Sequence, residues 1–135
     1  MRVENGMFGA IDIALSGMKA QTKQMEAIAS NVANARTTDA GDGQPYRRLE
    51  AIFKSSGDGM SGVEIDEVAQ DTSEFEMIYE PGHPKANSQG YVTMPNVKLP
   101  VEMMNMTLAS RTYQANTAIL KRYQEIVNTA LELLR

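Results

Sequence analysis

Residues 8–32 read FGAIDIALSGMKAQTKQMEAIASNV, and their spacing decides the fold. Phe8, Ile11, Leu15, Met18, Thr22, Met25, Ala29 and Val32 follow one another at alternating steps of three and four, the heptad pattern of an amphipathic helix with one apolar seam. Asn5 stands where an N-cap is expected. About 25 helical residues at ~1.5 Å each make a rod roughly 40 Å long, longer than a small domain is wide, so its remaining faces need cover from elsewhere.

A second such pattern ends the chain. Pro100 is tolerated at a first helical position. Val101, Met104, Leu108, Thr112, Ala115, Ile119, Tyr123, Ile126, Ala130 and Leu133 then recur with helical spacing. As far as Tyr123 the steps run three, four, four and repeat, an 11-residue period that favours straight or slightly right-handed packing over a left-handed heptad twist. The expected fold is therefore mainly α with a small β-rich insert, its two long N- and C-terminal helices packed as a coiled-coil-like pair that matches imperfectly along its length. Ile28, Met103, Tyr113 and Leu120 fall outside the assigned seams and are left for neighbouring molecules to cover. The divisions are residues 1–36, 37–99 and 100–135.

Between the helices, turn residues alternate with short apolar runs. Leu49 to Lys54 (LEAIFK) and Val63 to Val68 (VEIDEV) read as a β-hairpin joined by the Gly/Ser loop Ser55 to Gly62. Phe75 to Tyr79 (FEMIY) is expected to continue that hairpin until Pro81-Gly82 breaks it, and Gly90 to Met94 is a further short strand before Pro95. Asp39 to Pro45 (DAGDGQP) is loop by composition.

The whole chain of 135 residues fits one compact unit. Its 13 Lys plus Arg against 17 Asp plus Glu give a charge of -4, which argues against a sequence-independent nucleic-acid binder and against a polybasic membrane anchor. No run approaches the roughly 18 apolar residues of a membrane-spanning helix. The absence of cysteine removes disulfides, thiolate metal sites and thiol catalysis together. No basic, then apolar, then small-residue pattern marks a cleavable secretory signal. The 10 methionines supply flexible, polarizable side chains suited to seams that accept more than one partner.

Signals of chemistry are weak. Gly57, Gly59 and Gly62 spell G-x-G-x-x-G, but a strand pattern follows where a dinucleotide site needs a helix N-terminus. His83, the only histidine, sits in the turn PGHP beside Glu80 and lacks further nitrogen or sulfur ligands for a zinc site. Glu64, Asp66, Glu74 and Glu76 repeat with a period of two and read as solvated strand faces. Asn105-Met106-Thr107 spells a glycosylation acceptor but lies inside the last helix. No catalytic residue, cofactor or metal is expected.

The helix end SNVANARTT is more informative. Asn31 and Asn34 lie three apart on one face, where both amides can bond across a helix contact; a plain C-cap with Asn34 in the left-handed conformation is the alternative, and one amide could cap while the other sets register. NVANARTT, Asn31 to Thr38, resembles the N-terminal signature of bacterial flagellar axial proteins of the rod and hook. The runs DGQPYR (Asp42 to Arg47), YEPGHPKANSQGYVTMPNV (Tyr79 to Val97) and ASRTYQAN (Ala109 to Asn116) resemble the FlgC-type proximal rod family of the flagellar basal body.

That resemblance implies a non-enzymatic structural subunit of the proximal rod, polymerising through its terminal helices into a tubular drive shaft around the export channel. It implies passage through the flagellar type III export apparatus without a cleaved signal, a place in the rod across the periplasm, and partners that are copies of the chain and other rod proteins, with neither nucleic acid nor membrane insertion. The residues expected at subunit interfaces are Phe8, Ile11, Leu15, Met18, Met25, Ile28, Asn31, Val32, Asn34, Thr37, Thr38, Met104, Leu108, Tyr113, Asn116, Ile119, Ile126 and Leu133. A soluble helical adaptor or secretion-chaperone-like homo-oligomer would use the same seams but stop at a closed assembly.

Overall fold

Two long helices bracket two small β-hairpins in the computed structural model, which describes residues 4–57 and 62–134, with side chains from residue 9 onward. Helix α1 spans Glu4–Ala33 and α2 spans Leu99–Leu133, about 45 and 50 Å of helix at ~1.5 Å per residue. Asn5 lies within α1 and not at its cap. Lys98 caps α2 in an extended conformation, with Pro100 in the first turn as expected. A missing N–H there loses no helical bond.

The helices run antiparallel: Asn31 bonds Glu102, Gly17 abuts Asn116, and Thr117 Oγ1 donates to Met18 Sδ at 3.9 Å. Small side chains set the spacing. Ala14, Gly17, Ala20 and Ala109 are buried, and a Cβ on Gly17 would come within 2.7 Å of Asn116 Nδ2.

This contact differs in phase from the seams drawn from apolar spacing. Leu15, Thr22, Ala29 and Val32 on α1 are exposed, as are Val101, Met104, Leu108, Ala115, Ile119, Ile126, Ala130 and Leu133 on α2. Ile28, expected to be left for a neighbour, is buried by its own chain, and Tyr113 and Leu120 are half-buried; Met103 is exposed. The observed contact follows Gly17, Gln24 and Asn31 on one helix and Glu102, Ala109 and Asn116 on the other, seven residues apart in each case. Close approach needs small residues, and a buried carboxylate needs polar partners; both requirements outrank the number of large apolar groups.

Strands β1 (Leu49–Ser55) and β2 (Val63–Gln70) form the expected antiparallel hairpin, with Leu49 opposite Gln70 and Ser55 opposite Val63. A bulge at Ile52/Phe53 shifts the register. The hairpin lies along α1 and is tied at both ends: Leu49 bonds Asn31, and Val63 N donates to Ser16 Oγ at 3.1 Å. Fifteen residues of helix separate Ser16 from Asn31, roughly 22 Å, close to the ~20 Å length of a seven-residue strand. Gly62 permits this approach, because a Cβ there would collide with Ser16 Oγ. Gly59 of the glycine-rich run lies outside the described residues.

Strand β3 (Glu76–Tyr79) does not continue this hairpin. It pairs antiparallel with β4 (Tyr91–Met94) in a second sheet, Tyr79 opposite Tyr91. Asp71 N still donates to Arg48 O, extending the first ladder, but Asp71 Oδ1 then accepts from Ser73 N at 2.8 Å and turns the chain away. Val92 and Met94 face inward, while the Tyr79 and Tyr91 rings meet edge-on at 5.3 Å. The intervening loop closes on itself through Asn87, whose Oδ1 accepts from Gln89 N and Tyr91 N at 2.9 Å.

Gly90 closes that loop at φ +83, and a Cβ there would lie 2.8 Å from Tyr79 Cε2 and 3.1 Å from Pro81 Cβ. Gly90→Ala is therefore expected to destabilise the chain by about 1–3 kcal/mol in denaturant unfolding. Gly82→Ala, with nothing within 4 Å of its new methyl, should leave the midpoint unchanged; equal effects would contradict the assignment.

Candidate functional site

A buried polar node and an exposed apolar surface divide the expected interface residues between them. At the node, Asn31 and Glu102 are both fully buried. Asn31 Nδ2 donates to Leu49 O and to Glu102 Oε2, each at 2.9 Å. Its Oδ1 accepts from Leu49 N at 2.7 Å and from Tyr46 Oη at 3.0 Å. One amide thus uses two donors and two acceptor sites, its whole capacity. Glu102 Oε1 accepts from Arg48 Nε at 2.7 Å. Arg48 also reaches Asp71 Oδ2 at 3.4 Å, and its backbone N–H donates to Asn96 Oδ1 at 2.8 Å.

Burial pulls the Arg48 guanidinium down, but its hydrogen bond with Glu102 and the charges of Glu102, Glu50 and Asp71 outweigh that and hold it above its ordinary range. The Ser73 backbone N–H, then the Ser73 hydroxyl, hold the Asp71 carboxyl below its ordinary value against slight burial, with Arg48 adding to the effect. The node joins the end of α1, the start of β1 and the first turn of α2, three segments far apart in sequence. Beside it, Arg47 stacks 4.2 Å over the Phe75 ring and donates to Asp71 O and Ser73 O at 3.1 Å.

Asn34 ends the helix differently from expectation. No described non-glycine residue has positive φ, so Asn34 is not left-handed. Its amide donates to Ser30 O at 2.9 Å, and its Oδ1 accepts from Thr37 Oγ1 at 3.2 Å. The helix end closes with side-chain bonds, which removes the need for a left-handed residue. Asn31 does reach across the helix contact, to Glu102.

Of the expected interface residues, Asn31 and Ile28 are buried within their own chain. Ile11, Met18, Met25, Asn34, Thr37, Thr38, Tyr113 and Asn116 are half-buried. Leu15, Val32, Met104, Leu108, Ile119, Ile126 and Leu133 are exposed, and Leu108 and Leu133 retain 65% and 83% of their surface. Phe8 lies outside the described side chains. Met104, Leu108, Ile119, Ile126 and Leu133 share one side of α2 and form an apolar stripe along nearly all of its length. Asn105, half-buried, lines a groove with Gln24, Ile28 and residues Arg48 to Ala51. On α1, Leu15 is exposed, Ile11 and Met25 are half-buried, and Met18 meets Thr117 at the margin of the helix contact.

Arg48, Glu102, Tyr46 and Asn96 were not anticipated as site residues. Glu102 carried one usable signal: it begins the seven-residue frame that includes Ala109 and Asn116. His83 is a turn residue as expected, its Nδ1 accepting from Lys85 N at 3.1 Å, while Glu80 pairs with Arg36. Among the described residues no cluster of His, Asp or Glu could hold a metal ion, and no helix is long and apolar enough to cross a membrane.

Residues 11–40 match the model of the flagella basal body rod protein family, and residues 88–133 match that of the flagellar basal body rod FlgEFG protein C-terminal family. The chain is 38% identical over 130 residues to the flagellar basal-body rod protein FlgC of Salmonella typhimurium, covering 94% of this chain and 97% of that one. It is 33% identical over 151 residues to FlgC of Borreliella burgdorferi (96% and 99%) and 31% identical over 145 residues to FlgC of Bacillus subtilis (93% and 97%).

The node sets an order of sensitivity. Asn31→Ala strands the Leu49 backbone groups and one Glu102 oxygen and is expected to lower stability by about 2–4 kcal/mol in urea unfolding, against about 1 kcal/mol for Asn34→Ala. Alanine is the better helix former, so equal or reversed losses would contradict the node.

Acid acts on a second contact. A hydrogen bond from Lys85, then the N–H groups of Gly41 and Gly43, hold the Asp39 carboxyl at about 2 against an ordinary 3.8. A depressed folded-state value means that the contact's stabilisation is complete above about pH 4 and fades as pH falls through 2. A carboxyl NMR titration should place the Asp39 midpoint near 2 and move it upward in Lys85→Ala. An unchanged midpoint in that variant would contradict the contact.

Proposed function

The chain belongs to the FlgC family of flagellar basal-body rod proteins, a structural family without enzymatic activity, and we propose that it builds the proximal rod by docking the outer faces of its terminal helices onto neighbouring subunits. The observation that carries this reading is the exposed stripe on α2. Met104, Leu108, Ile119, Ile126 and Leu133 lie in line on a well-formed helix, uncovered by the rest of the chain. Each such side chain taken from water contributes roughly 1.5–3 kcal/mol. Several are needed to offset the ordering of about 60 terminal residues, at ~1–2 kcal/mol of backbone entropy each.

In this reading the subunit passes unfolded through the flagellar type III export apparatus without a cleaved signal, and its partners in the periplasmic rod are copies of itself and other rod proteins. The polar contact between α1 and α2 supports the same picture. A seam rich in small residues, Gln and Asn holds register with little apolar burial, which suits a chain that crosses a channel before it folds. The helices complete their coiled-coil-like pairing only when neighbours cover their second faces. Family membership gives no support to a soluble adaptor or chaperone-like oligomer.

Two measurements test the proposal. Leu108→Asp and Ile119→Asp change exposed positions and should leave the isolated fold within about 0.5 kcal/mol of the parent. They should also leave export intact while preventing incorporation into rods, because assembly would bury an unpaired charge. Normal rods from both variants would refute the docking face. Helicity of the parent protein by circular dichroism should rise with concentration as neighbours cover the outer helix faces; helicity independent of concentration would count against folding coupled to assembly.

A further inference from the structure

We infer that Met104, with Met103 beside it, is an oxidation site, and that converting the Met104 thioether to its sulfoxide keeps a subunit out of the assembly, an inference that rests on the rod reading and adds a chemical control on its docking stripe. Among the methionines with described side chains, Met103 and Met104 are the most open to solvent, each retaining 64% of its surface, ahead of Met77 at 59%. Met94 is buried, and Met18, Met25 and Met106 are half-buried. The Met18 sulfur also accepts from the Thr117 hydroxyl. The chain has no cysteine to take an oxidant first, so these open thioethers are the soft nucleophiles that a peroxide meets.

The step needs only a peroxide. A sulfur lone pair attacks one oxygen of hydrogen peroxide, the O–O bond breaks and a sulfur–oxygen bond forms. The second oxygen leaves with the electron pair and takes up the first oxygen's proton to become water. Sulfur is oxidised by two electrons and the peroxide is reduced. A dithiol acting through a methionine sulfoxide reductase reverses the change, removing the oxygen as water and ending as a disulfide.

Position decides what the new oxygen does. In the free subunit a sulfoxide at residue 104 faces water, and the fold is unaffected. In the docked stripe, in line with Leu108, the same oxygen loses its water against an apolar contact. Met77 is the internal contrast, because it is almost as open but stands on β3, away from the stripe.

Competition between two forms in the same cells reads the effect. The parent chain and Met104→Leu are co-expressed, with and without hydrogen peroxide during rod growth. The tryptic peptide 99–111 of each is then counted by mass spectrometry in purified basal bodies, all oxidation states summed. Without peroxide the two forms should enter equally. With peroxide the ratio should shift about fivefold towards Met104→Leu, while residue 104 of the unassembled parent carries an added oxygen and a pairing of parent with Met77→Leu stays balanced.

An unshifted ratio with residue 104 oxidised in the unassembled chain would overturn the inference and leave the rod reading standing. So would oxidation of Met94 ahead of Met104, or an equal shift towards Met77→Leu. Absence of the parent from basal bodies without peroxide would overturn both. Should Met104→Leu itself enter poorly, Met104→Gln decides, since it places a polar amide at the same reach. With its unfolding midpoint unchanged it should enter about fivefold less than Met77→Gln, and equal entry would overturn the inference.

Discussion

The four hydrogen bonds of Asn31 and the ion pair between Glu102 and Arg48 hold this fold together. A buried carboxylate is tolerated only where both oxygens are occupied, and Glu102 has one oxygen on a guanidinium and the other on an amide. Removing a partner from such a pair strands a charge, at a loss of about 3–5 kcal/mol. That asymmetry fixes the phase of α2 on α1, because rotating either helix by one residue would separate Glu102 from Asn31. It also fixes the first hairpin, whose opening residue Leu49 is held at both backbone groups by the same amide. Ser16 holds the other end.

Once this node sets the phase, the distribution of apolar surface follows. Gly17, Ala14 and Ala109 fill the helix contact, and the large apolar side chains of α2 point elsewhere. The molecule is apolar outside and small or polar along its inner seam, the reverse of an independent helical hairpin. Its own helix pairing leaves these large apolar groups uncovered, and the proposed docking face is built from them. Methionines among the exposed and half-buried positions, including Met18, Met25, Met103 and Met104, add side chains that adapt to unlike partners.

Much of the fold is legible in the residues themselves. Both helices, the LEAIFK/VEIDEV hairpin and the strand ending at Met94 follow from apolar spacing and turn chemistry, and the quoted motifs point to the family. The phase of the helix contact is not legible by counting large apolar residues, because that count finds the strongest stripe, and here the strongest stripe faces outward. The competing frame, Gly17-Gln24-Asn31 against Glu102-Ala109-Asn116, becomes visible only when small size and hydrogen-bonding capacity are weighted as heavily as hydrophobicity. The pairing of β3 with β4 escaped for another reason. A turn closed by Asp71 and Ser73 redirects the chain between two strand patterns that otherwise read as continuous. Arg48 could not be placed at all, since nothing local to it signals a partner 54 residues away.

The most direct test of the outward-facing stripe is a density map of purified basal bodies at side-chain resolution, with this chain fitted as α1, α2 and the two hairpins. The account predicts Leu108, Ile119 and Ile126 in contact with an adjacent subunit while Asn31 and Glu102 remain bonded within their own chain. A map showing that stripe against the same molecule's α1, or open to solvent in the assembled rod, would contradict it.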